Sequence, residues 1–161
     1  ALVDAVSDME GVAVFNLYEL SQEIAINIDE WSKIISDASA VIYQFPFYWM
    51  SAPSLLKKWQ DEVFTFLSKT PAVAGKPLTV VTTTGSEYEA YRSGGRNRFT
   101  TDELLRPYQV SAIHSGMSWQ TPIVVYGMGT ADAGKNIAEG ANLYKQRVEM
   151  LIGSSNAGNN W

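Results

Sequence analysis

Two short segments carry the side chains best suited to holding a ligand. Phe45-Pro46-Phe47-Tyr48-Trp49-Met50 sets four aromatic rings around a proline, and Thr82-Thr83-Thr84-Gly85-Ser86 is a hydroxyl-rich run interrupted by a glycine. Planar rings beside a loop of backbone N–H groups suit a flat heteroaromatic ligand with a polar rim. Each aromatic contact contributes roughly 0.5–1.5 kcal/mol beyond burial. Loop N–H groups can reach ring oxygens and nitrogens, and Gly85 permits close approach. An equally open reading has the aromatics filling a core and the threonines merely ending a strand.

Other candidates are weaker. Gly127-Met128-Gly129 looks like the opening of a dinucleotide fingerprint, but Asp132 stands where the third glycine belongs, so the segment reads as a turn. His114, among Ala112, Ile113 and Met117, reads as a packed or interface histidine. Lys57-Lys58 is a solvated helix edge. Glu87 and Glu89 are spaced to act as acid and base, yet nothing in their setting requires it. Phosphate-loop, nucleophile-elbow and metal-ligand spacings are missing. A single histidine argues against a histidine metal site or a Ser-His-Asp triad, and no metal is expected. The absence of cysteine excludes disulfide scaffolds, thiolate nucleophiles and iron–sulfur clusters. With a net charge of −5 and scattered basic residues, no nucleic-acid footprint is present.

The elements that position these segments follow from periodicity. Leu2, Ala5, Val6 and Met9 recur at helical spacing up to Gly11, and Val12 to Leu17 has the length of a strand. Trp31, Ile34, Ile35 and Ala38 mark a helix with Asp29 and Glu30 at its start. Ala40 to Phe45, apolar on both faces apart from Gln44, is a strand covered on both sides. Behind Pro53, Leu55, Trp59, Val63 and Phe66 form one stripe, and Leu56, Phe64 and Leu67 a second. So wide an apolar face suggests that part of it meets another subunit. Leu78 to Thr83 is the next buried strand. Thr100 and Glu103 have capping-box spacing and open a helix that Pro107 starts late or kinks. Pro122 to Tyr126 is the last strand, and Ala131 to Ile152 the last helix. The Ser/Asn/Gly-rich tail over 154–161 is expected to fray.

Alternating strands and helices argue for an α/β domain with a parallel sheet. One domain spans 1–161. The apolar run from Ala40 to Met50 is too short for a membrane span, which needs roughly 20 residues, and the default location is cytoplasmic.

The block from Gln44 to Phe64, the Thr83-Thr84-Gly85-Ser86 loop, Phe99 to Pro107, and Gly116-Met-x-Trp119 with Pro122 occur in the order of a known family. Together they resemble the flavodoxin-like NAD(P)H:quinone oxidoreductases, which include flavoprotein ancillary subunits of glutathione-gated potassium efflux. The resemblance implies a flavodoxin-like three-layer sandwich with a parallel sheet of order 2-1-3-4-5. It also implies a flavin (FMN or FAD), NAD(P)H as donor, a quinone as acceptor, and a homodimer with its site near the subunit interface. The backbone after the signature proline, Pro46, would hold the ring edge through Phe47, Tyr48 and Trp49. Thr83, Thr84, Gly85 and Ser86 would meet the polar edge, and Tyr91 would sit near the quinone as catalytic residue. The rival implication is a regulatory subunit docking on a potassium-efflux transporter at the inner membrane face, and a third is a fold that no longer binds flavin.

This sequence departs from the family in four places. The first strand and its phosphate-binding loop do not precede Ala1, which suggests a complete protein about 20–30 residues longer. The stretch 65–75 is shorter than the corresponding loop of the relatives. Arg96 and Asn97 stand where some relatives carry a histidine, and Ser86 replaces the second loop glycine.

Overall fold

The computed structural model describes residues 1–20 and 26–157. After a single 3-10 turn at Val3–Ala5, the order is α1 (Ile28–Asp37), β1 (Val41–Pro46), α2 (54–67), β2 (Pro77–Thr83), a second 3-10 turn (Tyr88–Tyr91), α3 (Thr101–Leu104), α4 (Arg106–His114), β3 (Ser118–Trp119), β4 (Ile123–Val125) and α5 (Ala133–Ala157). Among the described residues the strands of the sheet pair in parallel. On one side β2 pairs with β1, from Val41 opposite Leu78 to Pro46 opposite Thr83. On its other side β2 pairs with β3 through Pro77 and Leu78, and with β4 through Val81 to Thr83. The last strand is thus interrupted between Trp119 and Ile123, with Pro122 in the gap. This is a flavodoxin-like fold, a parallel sheet with helices on both sides.

Period-two alternation divides the core into two layers. On one face Tyr43, Phe45, Leu78 and Val80 pack against Trp31 and Ile35 of α1, Trp59, Val63, Phe64 and Leu67 of α2, and Tyr108 and Ala112 of α4. On the other, Val81, Ile123 and Val125 meet Tyr144 and Val148 of α5, together with Leu2 and Val6. Leu78, Val80 and Val81 are fully enclosed, and side chains of this kind contribute roughly 1.5–3 kcal/mol each. Lys76 ties the layers at one corner by donating to the carbonyls of Ile35 and Ser36, which caps the C-terminal end of α1. Trp31, Trp59 and Tyr43 form an edge-to-face cluster, with ring centroids 5.1 Å and 5.9 Å apart. Their indole and phenol donors find no acceptor among the described residues. Burial pushes the Tyr43 hydroxyl well above its ordinary range, and the nearby Gln60 amide offsets this only in part.

Five expectations are corrected. Leu2 and Val6 are buried as their spacing requires, but only Val3–Ala5 is helical, because so short a segment does not offset the cost of nucleation. Val12 to Leu17 is not a strand. No neighbouring strand among the described residues supplies a ladder, and Val14 and Phe15 are largely exposed. The wide apolar face of 54–67 is mostly consumed inside the molecule. A π-turn at Gln60–Phe64 lies between α-helical Ser54–Trp59 and Thr65–Leu67, and residues of both stripes, Trp59, Val63, Phe64 and Leu67, end up in the core. Of those stripes, Phe66 is the large residue left exposed. Of the two readings of His114, packed or interface, the packed one falls, since the residue is exposed at the end of α4. Finally, α5 runs to Ala157, so 154–157 continue the helix instead of fraying, and 158–161 lie outside the described residues.

Candidate functional site

The carboxyl ends of β1, β2 and β4 lie side by side, and three loops leave from them. After β1 the chain takes one more ladder bond, Phe47 N–H to Thr83 O at 2.9 Å. It then closes a tight hairpin in which Tyr48 and Ser51 exchange both backbone hydrogen bonds, 2.8 and 3.0 Å. Trp49 and Met50 at its tip have φ of +45° and +62°. The Tyr108 hydroxyl of α4 braces this hairpin from behind, accepting from Ala52 N–H at 3.1 Å. The aromatics therefore divide between roles: Phe45 is core, while Tyr48 is exposed and Trp49 is 98% exposed.

The loops after β2 and β4 are joined to each other. Thr84 N–H donates to Val125 O, Met128 N–H to Thr84 O, Gly129 N–H to Gly85 O and Gly127 N–H to Ser86 O, at 2.8–2.9 Å. The Thr84 hydroxyl also turns inward, to Ser86 O at 2.8 Å. All three N–H groups of Gly127-Met128-Gly129 are thus spent on the neighbouring loop. A phosphate cradle needs free donors, so this segment is the turn that its missing third glycine indicated. Gly129 is required for the approach, since a Cβ there would sit 3.0 Å from Gly85 O.

Gly85 and Ser86 keep their own N–H groups free of protein acceptors among the described residues, and no atom would crowd a Cβ at Gly85. Trp49 and Met50 are likewise unpaired at their N–H groups. Tyr91 is buried between two rings, 6.3 Å from Phe47 and 5.9 Å from Tyr126. Tyr126 also packs edge-on against Tyr88 at 5.3 Å. Its hydroxyl shares a 2.6 Å hydrogen bond with Thr101 Oγ1, and burial pushes it above the usual tyrosine range. Tyr88, Tyr91 and Tyr126 form one wall of a cleft of about 480 Å³ that continues past Pro122 to Leu143 and Met150 of α5; Phe47 and the 83–86 loop lie outside its lining.

The structure thus brings Pro46, Phe47, Thr83, Thr84, Gly85, Ser86 and Tyr91 together, with Tyr48 and Trp49 on the outer hairpin. Two details narrow which groups of these segments are available. The N–H groups of Phe47 and Tyr48 are occupied, which leaves those of Trp49 and Met50 for a ligand. The Thr84 hydroxyl serves the loop and not its rim. Tyr88 and Tyr126 escaped the sequence reading. Tyr88 is signalled only by its i, i+3 spacing to Tyr91, which a 3-10 turn eclipses, and Tyr126 by its place at the end of a strand. The arrangement sets free backbone donors beside an aromatic surface, a pairing that a flat ligand with a polar edge can use.

A family model described as a flavodoxin-like fold matches residues 1–148. The chain belongs to that flavodoxin-like family. Among its relatives in the family is the glutathione-regulated potassium-efflux system ancillary protein KefG of Serratia proteamaculans. The two are 36% identical over 129 residues, 78% of this chain and 70% of that protein. The general stress protein 14 of Treponema denticola, solved in complex with FMN, is 27% identical with a TM-score of 0.81, covering 93% of this chain and 88% of that one. An NADPH-quinone reductase from P. pentosaceus is 26% identical with a TM-score of 0.75, covering 91% and 85%. Among the described residues, no helix is long and apolar enough to cross a membrane.

Proposed function

We propose that this flavodoxin-like protein is a flavin-dependent NAD(P)H oxidoreductase that passes two electrons to a quinone-type acceptor. The observation that carries the reading is the pair of free N–H groups at Gly85 and Ser86, set beside the aromatic wall of Phe47, Tyr91 and Tyr126. FMN is the proposed flavin, in keeping with the FMN complex of the Treponema relative. When bound, it supplies the two-electron chemistry between nicotinamide and acceptor. The chain's own residues do the rest. Gly85 and Ser86 donate to the polar edge, the Trp49–Met50 tip caps the ring from outside, and Tyr91 offers its hydroxyl to the acceptor.

A homodimer belongs to the same proposal. Trp49 is 98% exposed at the mouth of the site, an apolar surface that a second subunit would cover. Light scattering is expected to give twice the chain mass.

The test is direct. After incubation with FMN and gel filtration, the protein is expected to keep the flavin absorption bands and to oxidise NADPH in the presence of a soluble quinone. A colourless protein, or a coloured one inert to both NADPH and NADH, would refute the reading. Similarity to KefG supports a second reading, an ancillary role on a potassium-efflux transporter. Retention of the protein by immobilised transporter, without quinone reductase activity, would favour it.

A further inference from the structure

The loop between β2 and α3 carries three arginines in seven residues, Arg92, Arg96 and Arg98, within a chain whose net charge is −5. All three are exposed, and none enters an ion pair among the described residues. An isolated surface arginine has little meaning, but this group is held in place. Asn97 N–H donates to Ala90 O at 3.0 Å, Gly95 N–H to Arg92 O at 2.9 Å and Arg98 N–H to Gly95 O at 2.9 Å. Gly95 lies so close to the Glu89 and Ala90 carbonyls that any Cβ would overlap them. Arg98 is held at φ +62°, a conformation that L-residues keep only when their surroundings impose it.

The loop is also fastened to the site. Arg96 donates to Ser86 Oγ, so its guanidinium is committed to the ring-edge loop. The Arg92 guanidinium lies over the Tyr88 ring, 5.6 Å from its centroid, and Tyr88 packs on Tyr126. A guanidinium over an aromatic face keeps its N–H donors free for an anion. Glu87 and Glu89 share the loop but pair with none of the three arginines.

We propose that Arg92 and Arg98, on one fastened loop, form a phosphate subsite for the incoming pyridine dinucleotide, beside the cleft walled by Tyr88 and Tyr91. The inference rests on the function proposed above and adds to it the part of the donor that this chain grips. The phosphate chemistry has two sources: the pyrophosphate common to NADH and NADPH, and the 2′-phosphate of NADPH alone.

The experiment is calorimetric titration of the flavin-loaded protein with NADP+ and with NAD+, for the wild type, Arg92→Gln and Arg98→Gln. Flavin retention and Tm serve as controls, because neither arginine touches the ring-edge loop. Loss of one charge-assisted contact is expected to weaken binding about tenfold. Equal weakening for both nucleotides assigns the pyrophosphate, and weakening for NADP+ alone assigns the 2′-phosphate. Wild-type affinity for both nucleotides in both variants overturns the subsite. Dihydronicotinamide riboside, which carries no phosphate, separates this inference from the reading beneath it. If the wild type reduces its flavin with the riboside as efficiently as with NADPH, the subsite is wrong and the oxidoreductase reading stands. If neither donor reduces the flavin, both fall.

Discussion

Trp49 occupies a backbone conformation that tryptophan seldom takes, with φ at +45° and Met50 following at +62°. A left-handed L-residue costs roughly 1–2 kcal/mol, and two-residue hairpins that need positive φ at both central positions favour Asn-Gly. A tip that keeps Trp-Met instead, with the indole 98% exposed, carries strain at the hairpin to which the proposed function gives the outer face of the ring. Trp49→Gly is therefore expected to stabilise the fold by about 1 kcal/mol, raising Tm by roughly 2–4 °C, while shortening the retention of FMN. A higher Tm with unchanged FMN dissociation would show that the indole serves something other than the ring. Tyr91→Phe tests the opposite kind of residue. Its ring packs between Phe47 and Tyr126, so the fold and the rate of flavin reduction by NADPH are expected to persist, and turnover with quinone to fall about tenfold or more. Unchanged turnover would remove the hydroxyl from the reaction. At this scale the sequence was informative where site residues are contiguous, in 46–49 and 83–86. It was silent on Tyr126, which reaches Tyr91 only through the pairing of β4 with β2.

The 3-10 turn, the arginine loop and the site wall all lead into α3, whose start is fixed by a capping box. Thr100 Oγ1 accepts from Glu103 N–H at 3.2 Å, and Glu103 Oε2 accepts from Thr100 N–H at 2.8 Å. Thr100→Ala is expected to cost about 1 kcal/mol. The Thr100 N–H and hydroxyl both donate to Glu103 Oε2, and these two bonds hold the carboxyl below its ordinary value of 4.5. A carboxyl depressed in the folded state contributes stability above its unfolded value and loses it as pH falls through the folded one. Glu103→Gln should therefore melt below the wild type at neutral pH, with the gap closing as pH falls through and below the ordinary carboxylate range. A gap independent of pH would mean that the charge is irrelevant to the cap. This box was legible in the sequence because its chemistry is local, four residues long. The strand expected at Val12 to Leu17 was not, because a strand is defined by a neighbour, and apolar residues of the right length cannot supply one. The extra residue that the π-turn fits into α2 was equally hidden, since a 3.6-residue period separates two stripes that the real helix merges.

Seen as one object, the molecule is a sheet clamped between two helical layers, and one close approach on the α5 side bears on the loop after β2. Gly140 faces Val125 so tightly that a Cβ would overlap Val125 Cγ2, and Val125 O accepts the Thr84 N–H that anchors the ring-edge loop. Val125 has only one side-chain torsion and cannot step aside, so an added methyl must push α5 and β4 apart. Gly140→Ala gains up to about 1 kcal/mol of helix propensity and loses roughly 1–3 kcal/mol to overpacking, which predicts a net fall in Tm. The more telling consequence lies about one strand away. Displacing Val125 strains the Thr84 bond and should speed FMN dissociation, although Gly140 touches nothing in the site. Adding Val125→Ala opens the space again, so the double variant is expected to recover FMN retention more fully than it recovers stability. If FMN dissociation in Gly140→Ala equals that of the wild type while Tm falls, the clamp stabilises the sheet without setting the loop. The geometry of the ring edge would then be held by β1 and β2 alone.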